Sequence, residues 1–278
     1  MEIIESPKSL QRLMTTYRNQ GLRIGFVPTM GALHKGHTSL MDLANIQCDV
    51  LVVSIFVNPL QFSEHEDLDS YPNTPDTDHA LCKHHGVDIV FRPTVMYSTS
   101  HSTTVSVANL TTELCGRSRP SHFNGVTTVV ARLFGLVQPH VAVFGQKDYQ
   151  QLAVLRQMVE DLAMPIEIIG GPIVRESDGL ALSSRNAYLS VEQRQRALTL
   201  SKSLQLVQDA VRNGEYSVER LTHTIHKTMD VDQIDYVQFV HAHTLKPVTQ
   251  IGKNTRLCLA AFLGNTRLID NCPLESTS

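Results

Sequence analysis

The run Val50-Leu51-Val52-Val53-Ser54-Ile55-Phe56-Val57 constrains the fold more than any other stretch. It is apolar at nearly every position and has no polar face to turn toward water. It therefore fits a parallel strand covered on both faces by helices. The residues before it complete the unit: Arg23 to Val27 is a short strand, and Leu40, Leu43 and Ala44 mark the buried face of a helix beginning near His37. Residues 23–57 thus form a strand–helix–strand unit.

The same alternation continues along the chain. Ser6-Pro7 starts a helix with Leu10, Leu13 and Met14 at helical spacing, closed by Asn19-Gln20-Gly21. A helical stretch from Asp76 to His85 leads to a strand at Val87 to Phe91. Residues 93–124 are rich in Ser and Thr and weakly periodic, so they read as a lid or binding loop in which only Thr104 to Val107 resembles a strand. A helix over Val126 to Val137, a strand over His140 to Phe144, a helix carrying Leu152, Leu155, Val159 and Leu162, and a strand over Ile166 to Ile169 complete the pattern. After Gly170-Gly171-Pro172 it stops. A polar loop is followed by helices at Val191 to Val211 and Val218 to Met229, then by two strands, Ile234 to His241 and Arg256 to Leu263. The fold class expected is α/β, a parallel-sheet domain over residues 1–174 followed by a smaller α+β domain over 187–278, with 175–186 as a loop at the boundary.

Composition narrows the partners. With 278 residues and 42% hydrophobic content the chain can bury a real core. Its formal net charge of −3, with Lys and Arg scattered, does not suit nucleic acid and favours a small-molecule ligand. The five cysteines are odd in number and form no C-x-x-C pair, as expected for single thiols in a reducing cytosol. The amino terminus has no basic and apolar signal-peptide pattern, and no apolar run reaches the roughly 18 residues that span a bilayer. A cytoplasmic location without membrane attachment is the expectation.

Neither G-x-x-x-x-G-K-[ST] nor G-x-G-x-x-G is present, so any nucleotide is held by another device. The candidate is Met30-Gly31-Ala32-Leu33-His34-Lys35-Gly36-His37, a glycine turn that brings backbone N–H groups, a helix amino terminus and two imidazoles around one volume suited to phosphates. Imidazoles near their reference pKa of about 6.5 are readily held protonated by an anion. The spacing equally admits two histidines satisfied locally at a helix cap. Gly145-Gln146-Lys147-Asp148, at a strand's carboxyl end, offers a mobile cation and a carboxylate for ribose hydroxyls. Leu182-Ser183-Ser184-Arg185 adds hydroxyls and a guanidinium that matches paired phosphate oxygens. Gln61 and the pair Gln150-Gln151 supply neutral amides for a hydroxyl- and carbonyl-bearing substrate. Each group alone fits a solvated surface; their placement after strands of one sheet or at the boundary loop lets a single cleft collect them.

Four long runs in order, Val27 to His37, Val53 to Phe62, Phe144 to Gln151 and Asp178 to Asn186, resemble the pantothenate synthetases (pantoate–β-alanine ligases), and the likeness extends to Arg267-Leu268-Ile269-Asp270-Asn271. The resemblance implies a Rossmann-like nucleotidyltransferase fold, a homodimer, and ATP-dependent condensation of (R)-pantoate with β-alanine through a pantoyl adenylate, with Mg2+ carried on the ATP phosphates. It implies that Met30 to His37, Gly145 to Asp148, Val174 and Leu182 to Arg185 hold ATP. By the same resemblance Gln61 and Gln151 hold pantoate, Gln61 also lies near β-alanine, and His37 is the proton donor, acting with His34, Lys147 and Arg185. Cys115 and Gln146 stand where the pattern has glutamate, and the Ser/Thr-rich segment before Cys115 is a few residues short. A nucleotidyltransferase of the same fold that stops at nucleotide transfer, or a non-catalytic nucleotide sensor, are the competing readings.

Overall fold

A computed structural model describes residues 1–63 and 66–274; the end of the expected carboxyl-terminal domain, 275–278, lies outside the described residues. Six strands, β1 (Glu2–Ile4), β2 (Ile24–Thr29), β3 (Val50–Ile55), β4 (Ile89–Phe91), β5 (Val141–Gly145) and β6 (Glu167–Gly171), form one sheet in the order β1-β4-β3-β2-β5-β6. Every pairing in it is parallel. The helices between them are α1 (Pro7–Asn19), α2 (Lys35–Asn45), α3 (Pro75–His84), the single turn α4 (Cys115–Ser118), α5 (His122–Val137) and α6 (Tyr149–Asp161).

Two-residue alternation along the strands sorts the core into two layers. Ile24, Phe26, Val50 and Val52 pack with Leu10 and Met14 of α1, with α5 and with α6. Val27, Leu51 and Val53 face the other way, onto Leu40, Met41 and Ala44 of α2 and Cys82 of α3. The apolar run at 50–57 is buried on both sides for this reason. Its last residues, Phe56 and Val57, lie beyond the strand end.

One departure from regularity opens the sheet. β2 pairs with β3 from Ile24 to Thr29, yet pairs with β5 only at Gly25 and Phe26; beyond Ala142, β5 stays with β6 as far as Gly145. The strand order also reverses here, because β3 and β4 lie to one side of β2 and β5 and β6 to the other. β2 and β5 therefore diverge toward their carboxyl ends and leave the crevice in which such sheets bind ligands.

The carboxyl-terminal region comprises α7 (Val191–Arg212), α8 (Val218–Thr228) and an antiparallel sheet of β7 (Gln233–His241), β8 (Thr255–Leu263) and β9 (Thr266–Leu274). Leu257, Leu259 and Leu268 pack beneath Leu200, Leu204 and Val207 of α7 and Ile225 of α8. The opposite face, with Tyr236, Val240, Cys258 and Ala260, joins the α5 and α6 side of the larger core.

Three expectations are corrected. The carboxyl-terminal sheet has three strands rather than two, β9 being the addition, and β1 is a further strand at the edge of the large sheet. Thr104 to Val107 is not a strand: Val105 donates its N–H to Thr128 Oγ1 at 2.9 Å and accepts from Thr127 Oγ1 at 2.5 Å, so α5 side chains satisfy its backbone in place of a ladder. Finally, α5 starts at His122 rather than Val126.

The first turn of α5 lies directly on the 3-10 turn Pro59–Gln61 that follows β3. A Cβ on Gly125 would collide with Leu60 O and come within 2.5 Å of Gln61 N, both backbone atoms that cannot rotate away. Gly125→Ala is expected to lower the unfolding free energy by about 1–3 kcal/mol, the usual cost of overpacking. Gly135→Ala, on the same helix with nothing within 4 Å of the added carbon, should be neutral or stabilising by up to about 1 kcal/mol. Urea unfolding of the two variants checks the contrast.

Candidate active site

A cleft of about 220 Å³ occupies the crevice between the diverging strands. The turn after β2 forms one wall, and its geometry differs from the anion cradle expected of it. Ala32 and Leu33 donate their N–H groups to the Asp78 carboxylate at 3.0 and 2.8 Å, and Gly31 donates to Thr29 Oγ1 at 3.2 Å. Asp78, only 1% exposed, also accepts from Thr74 Oγ1 at 3.0 Å. The amides expected to meet phosphate are thus committed to a carboxylate on the first turn of α3. Ala32 has φ +49 and Gly31 φ +87, so Asp78 holds the backbone in a left-handed conformation.

The two histidines cap α2. Gly36 N–H donates to His34 Nδ1 at 3.1 Å, and His34 N–H donates to His37 Nδ1 at 3.3 Å. Their rings lie 4.1 Å apart between centroids. Both Nδ1 atoms accept, so in the neutral rings Nε2 carries the proton and is the donor left for a ligand. Burial, with Lys147 adding to it, brings His34 down to about 4. Burial and the neighbouring His34 bring His37 down to about 3. Near pH 7, with no anion beside it, this wall therefore presents two neutral N–H donors.

Met30, His34, Gly36, His37, Gly145, Lys147, Asp148, Val174, Leu182, Ser183, Ser184 and Arg185 line the cleft together with Gln61 and Gln151. Gly31, Ala32 and Leu33 form the turn behind it. Lys35 is exposed and outside it, and Gln146 turns its amide away to Gly170 O at 3.1 Å. Gln150 is structural, with Nε2 donating to Leu110 O and Glu113 O, both at 2.8 Å, so that it pins the 93–124 segment onto α6.

The side of the cleft that carries Gln61 is built on Asn58, 1% exposed, at the cap of the 3-10 turn. Its Nδ2 donates to Gln61 Oε1 at 3.2 Å and to Gly125 O at 3.1 Å, and its Oδ1 accepts from Tyr97 OH at 2.9 Å. Gln61 thereby keeps a fixed amide at the cleft. Its carbonyl accepts from His122 Nδ1 at 3.0 Å.

The cations are stored in ion pairs. Arg185 donates to both Asp67 oxygens at 2.9 and 2.7 Å, and Arg119 is held by both oxygens of Glu66. Lys147 Nζ lies 3.8 Å from Asp148 Oδ2. The boundary loop is ordered as a narrow hairpin in which Arg175 bridges Ala181 and Leu182 donates to Val174 O at 3.0 Å. Ser184 Oγ donates to Ala32 O at 3.1 Å and ties this loop to the histidine turn. Cys115 lies beneath Arg267, whose Nη1 and Nη2 are each 3.5 Å from Sγ; Asp235 takes that guanidinium at 3.0 and 2.6 Å.

Sequence reasoning missed Asn58, Asp78, Glu66 and Asp67 as site-forming residues. Asp78 sits 46 positions from Ala32, and no local pattern signals a contact of that separation. Arg119 and His122 lie in the run Arg119-Pro120-Ser121-His122-Phe123, at the end of the segment read as a lid or binding loop.

The histidine pair makes stability depend on pH. Their folded pKa values lie below the unfolded value of about 6.5, so the unfolded chain binds more protons between pH 4 and 6.5 and stability falls as the pH drops through that window. Unfolding titrations across pH 4–8 should show this slope, and His37→Gln should reduce it without abolishing it, because His34 and His122, each brought down to about 4 by burial, still contribute.

The family model for pantoate-beta-alanine ligase matches residues 2–273. A pantothenate synthetase of Geotalea uraniireducens (strain Rf4) is 51% identical over 279 aligned residues, covering 99% of each chain. The crystal structure of pantothenate synthetase from Thermus thermophilus superposes with a TM-score of 0.94 at 42% identity, covering 99% of this chain and 100% of that one. A pantoate-beta-alanine ligase from Francisella tularensis, complexed with beta-gamma ATP and beta-alanine, superposes at 0.83 with 34% identity and covers 98% of this chain and 97% of its own. With a family match across almost its whole length and relatives at half identity, the chain belongs to the pantoate–β-alanine ligase family.

Proposed function

We propose that the protein is an ATP-dependent ligase that condenses (R)-pantoate with β-alanine, releasing AMP and pyrophosphate, in pantothenate synthesis. The observation that carries this reading is the composition of the single cleft between β2 and β5. Phosphate-binding groups, His34, His37, Lys147 and Arg185, share it with the neutral amides of Gln61 and Gln151. An enzyme that only transferred a nucleotide would not need those amides.

A carboxylate is a poor acyl donor, and ATP corrects that. A pantoate carboxylate oxygen attacks the α-phosphorus, and the bond from phosphorus to the pyrophosphate oxygen breaks, giving pantoyl adenylate. The β-alanine amine then attacks the activated carbonyl carbon; the C–N bond forms, the C–O bond to AMP breaks, and the amine gives up a proton. In the first step negative charge grows on the phosphate oxygens. His34 and His37 offer Nε2–H donors held ready by the helix cap, and Lys147 and Arg185 offer cations. His37 with a pKa of about 3 is a weak candidate for a proton donor before nucleotide binds, so its role is assigned as hydrogen-bond donation to phosphate. Gln61 and Gln151 orient pantoate, with Gln61 also near β-alanine. Magnesium enters as Mg-ATP, bound through the phosphates. The reading also includes a domain over 1–174, a smaller one over 187–278 joined by the 175–186 loop, a homodimer and a cytoplasmic location. Among the described residues no helix is long and apolar enough to cross a membrane.

A coupled assay for AMP tests the reaction. AMP should form only with pantoate, β-alanine and Mg-ATP together, and His37→Ala and Lys147→Ala should each lower kcat by on the order of 10² to 10³. A wild type that makes no AMP, or two variants at full rate, would overturn the assignment. The intermediate has its own readout: labelled pyrophosphate should exchange into ATP with pantoate present and β-alanine absent. Sedimentation checks the dimer, which a purely monomeric species would exclude.

A further inference from the structure

Lys147 sits in the 3-10 turn Gln146–Asp148 between β5 and α6, and the N-cap of that turn, Gly145, has no side chain to supply a capping bond. Two of its carbonyls meet one side-chain amide from a distant strand: Asn271 Nδ2 donates to Gln146 O at 3.0 Å and to Lys147 O at 2.9 Å. Asn271 is 4% exposed and lies on β9 opposite Cys258.

The surroundings fix that amide in one orientation. Its Oδ1 accepts from Arg256 Nη1, and the Arg256 guanidinium lies 3.7 Å above the ring of Tyr149, the first residue of α6. Its own backbone N–H donates to Asp270 Oδ1 at 2.8 Å. Asp270 in turn takes Arg175 through both oxygens, at 2.7 and 2.9 Å, at the base of the loop that carries Ser183 and Arg185. Consecutive residues of β9 thus grip the two walls of the cleft that carry its lysine and its loop arginine. A lysine ammonium is a point charge on a flexible stem, so its backbone origin decides which phosphate oxygen it reaches.

We propose that Asn271 is a positioning residue for Lys147: its amide, contributed by the carboxyl-terminal sheet, sets the turn from which that lysine meets the nucleotide. The proposal rests on the ligase reading above and adds to it a contribution of β9 to ATP recognition. Asn271 does not touch the reacting atoms.

Asn271→Asp separates this role from ordinary packing. The new carboxylate keeps the acceptor for Arg256 and adds charge to that bond, so the fold is retained. It loses both donors and sets an oxygen against two carbonyl oxygens. The expected result is a folded protein whose melting temperature falls only as far as the two lost hydrogen bonds account for, with KM for Mg-ATP raised about tenfold, within what a misplaced binding group costs, and KM for β-alanine unchanged. In a Lys147→Ala background the same substitution should add nothing, because residues that act as one unit are not additive. An unchanged KM for Mg-ATP, or an equal loss with and without Lys147, would overturn the proposal. Should the aspartate variant unfold, Asn271→Ser, uncharged and with at most one donor, carries the same two expectations. Wild-type protein that forms no AMP would instead count against the ligase reading.

Discussion

The structure depends on a disagreement between the two sides of β2. On one side the ladder to β3 runs to the end of the strand, while on the other the ladder to β5 stops after Phe26. Parallel strands satisfy one another's backbone groups, so strands that separate must give those groups other partners or an opening to solvent. The chain does both. Thr29 Oγ1 donates to Ser54 O and accepts from Gly31, Asp78 takes the next two amides, and the remaining gap is the cleft. His34, His37, Gln61, Lys147 and Gln151 are carried by segments that follow the ends of β2, β3 and β5, and Ser183, Ser184 and Arg185 by the loop tied to the histidine turn.

The histidine turn shows how local satisfaction and function can share one residue. A cap histidine that used both ring nitrogens internally would offer nothing to a substrate, and one that used neither would rotate. Here each Nδ1 is used at the helix terminus and each Nε2 is left. That bond fixes ring orientation and tautomer together, as outer hydrogen bonds do for histidines that bind metals. The low pKa values follow from the same burial that orders the rings.

How much of this could be read from the chain varied with the range of the interaction. The parallel sheet was legible because burial on both faces writes an unbroken apolar run at Val50–Ile55 and because the helices repeat at 3.6 residues. β9 was not, because its pattern is broken by Asp270 and Asn271, buried polar residues that look like a turn until their partners Arg175, Arg256 and the 146–147 carbonyls are in place. β1 is three residues long and takes its register from β4, so nothing local marks it. The cleft residues His34, His37 and Lys147 were legible as types in turns after strand ends, and Arg185 as one in the boundary loop. Asp78, which holds the histidine turn, and the Gly125 and Tyr97 partners of Asn58, which fix the residue holding Gln61, act across gaps in sequence that spacing does not encode, and the histidines' charge state depended on burial that no motif reports.

The pairing of Arg185 in the cleft, and of Arg119 in the pocket adjoining it, follows from the demands of the cleft's own chemistry. A pocket that bound polyphosphate with bare guanidinium groups would hold several like charges half out of water when empty, and uncompensated charge in such a place is strongly unfavourable. The chain supplies internal carboxylates instead: Asp67 holds Arg185 and Glu66 holds Arg119. Burial works against the charge on both acids, yet the arginine hydrogen bonds outweigh it and hold their pKa values below the usual range. These carboxylates therefore stay charged beside their arginines. On the proposed reading, nucleotide binding is then an exchange of anions, phosphate for carboxylate or phosphate added beside it, and the affinity is the difference between the two pairings. That difference is smaller than either pairing alone, which suits an enzyme that must release both AMP and pyrophosphate at each turnover.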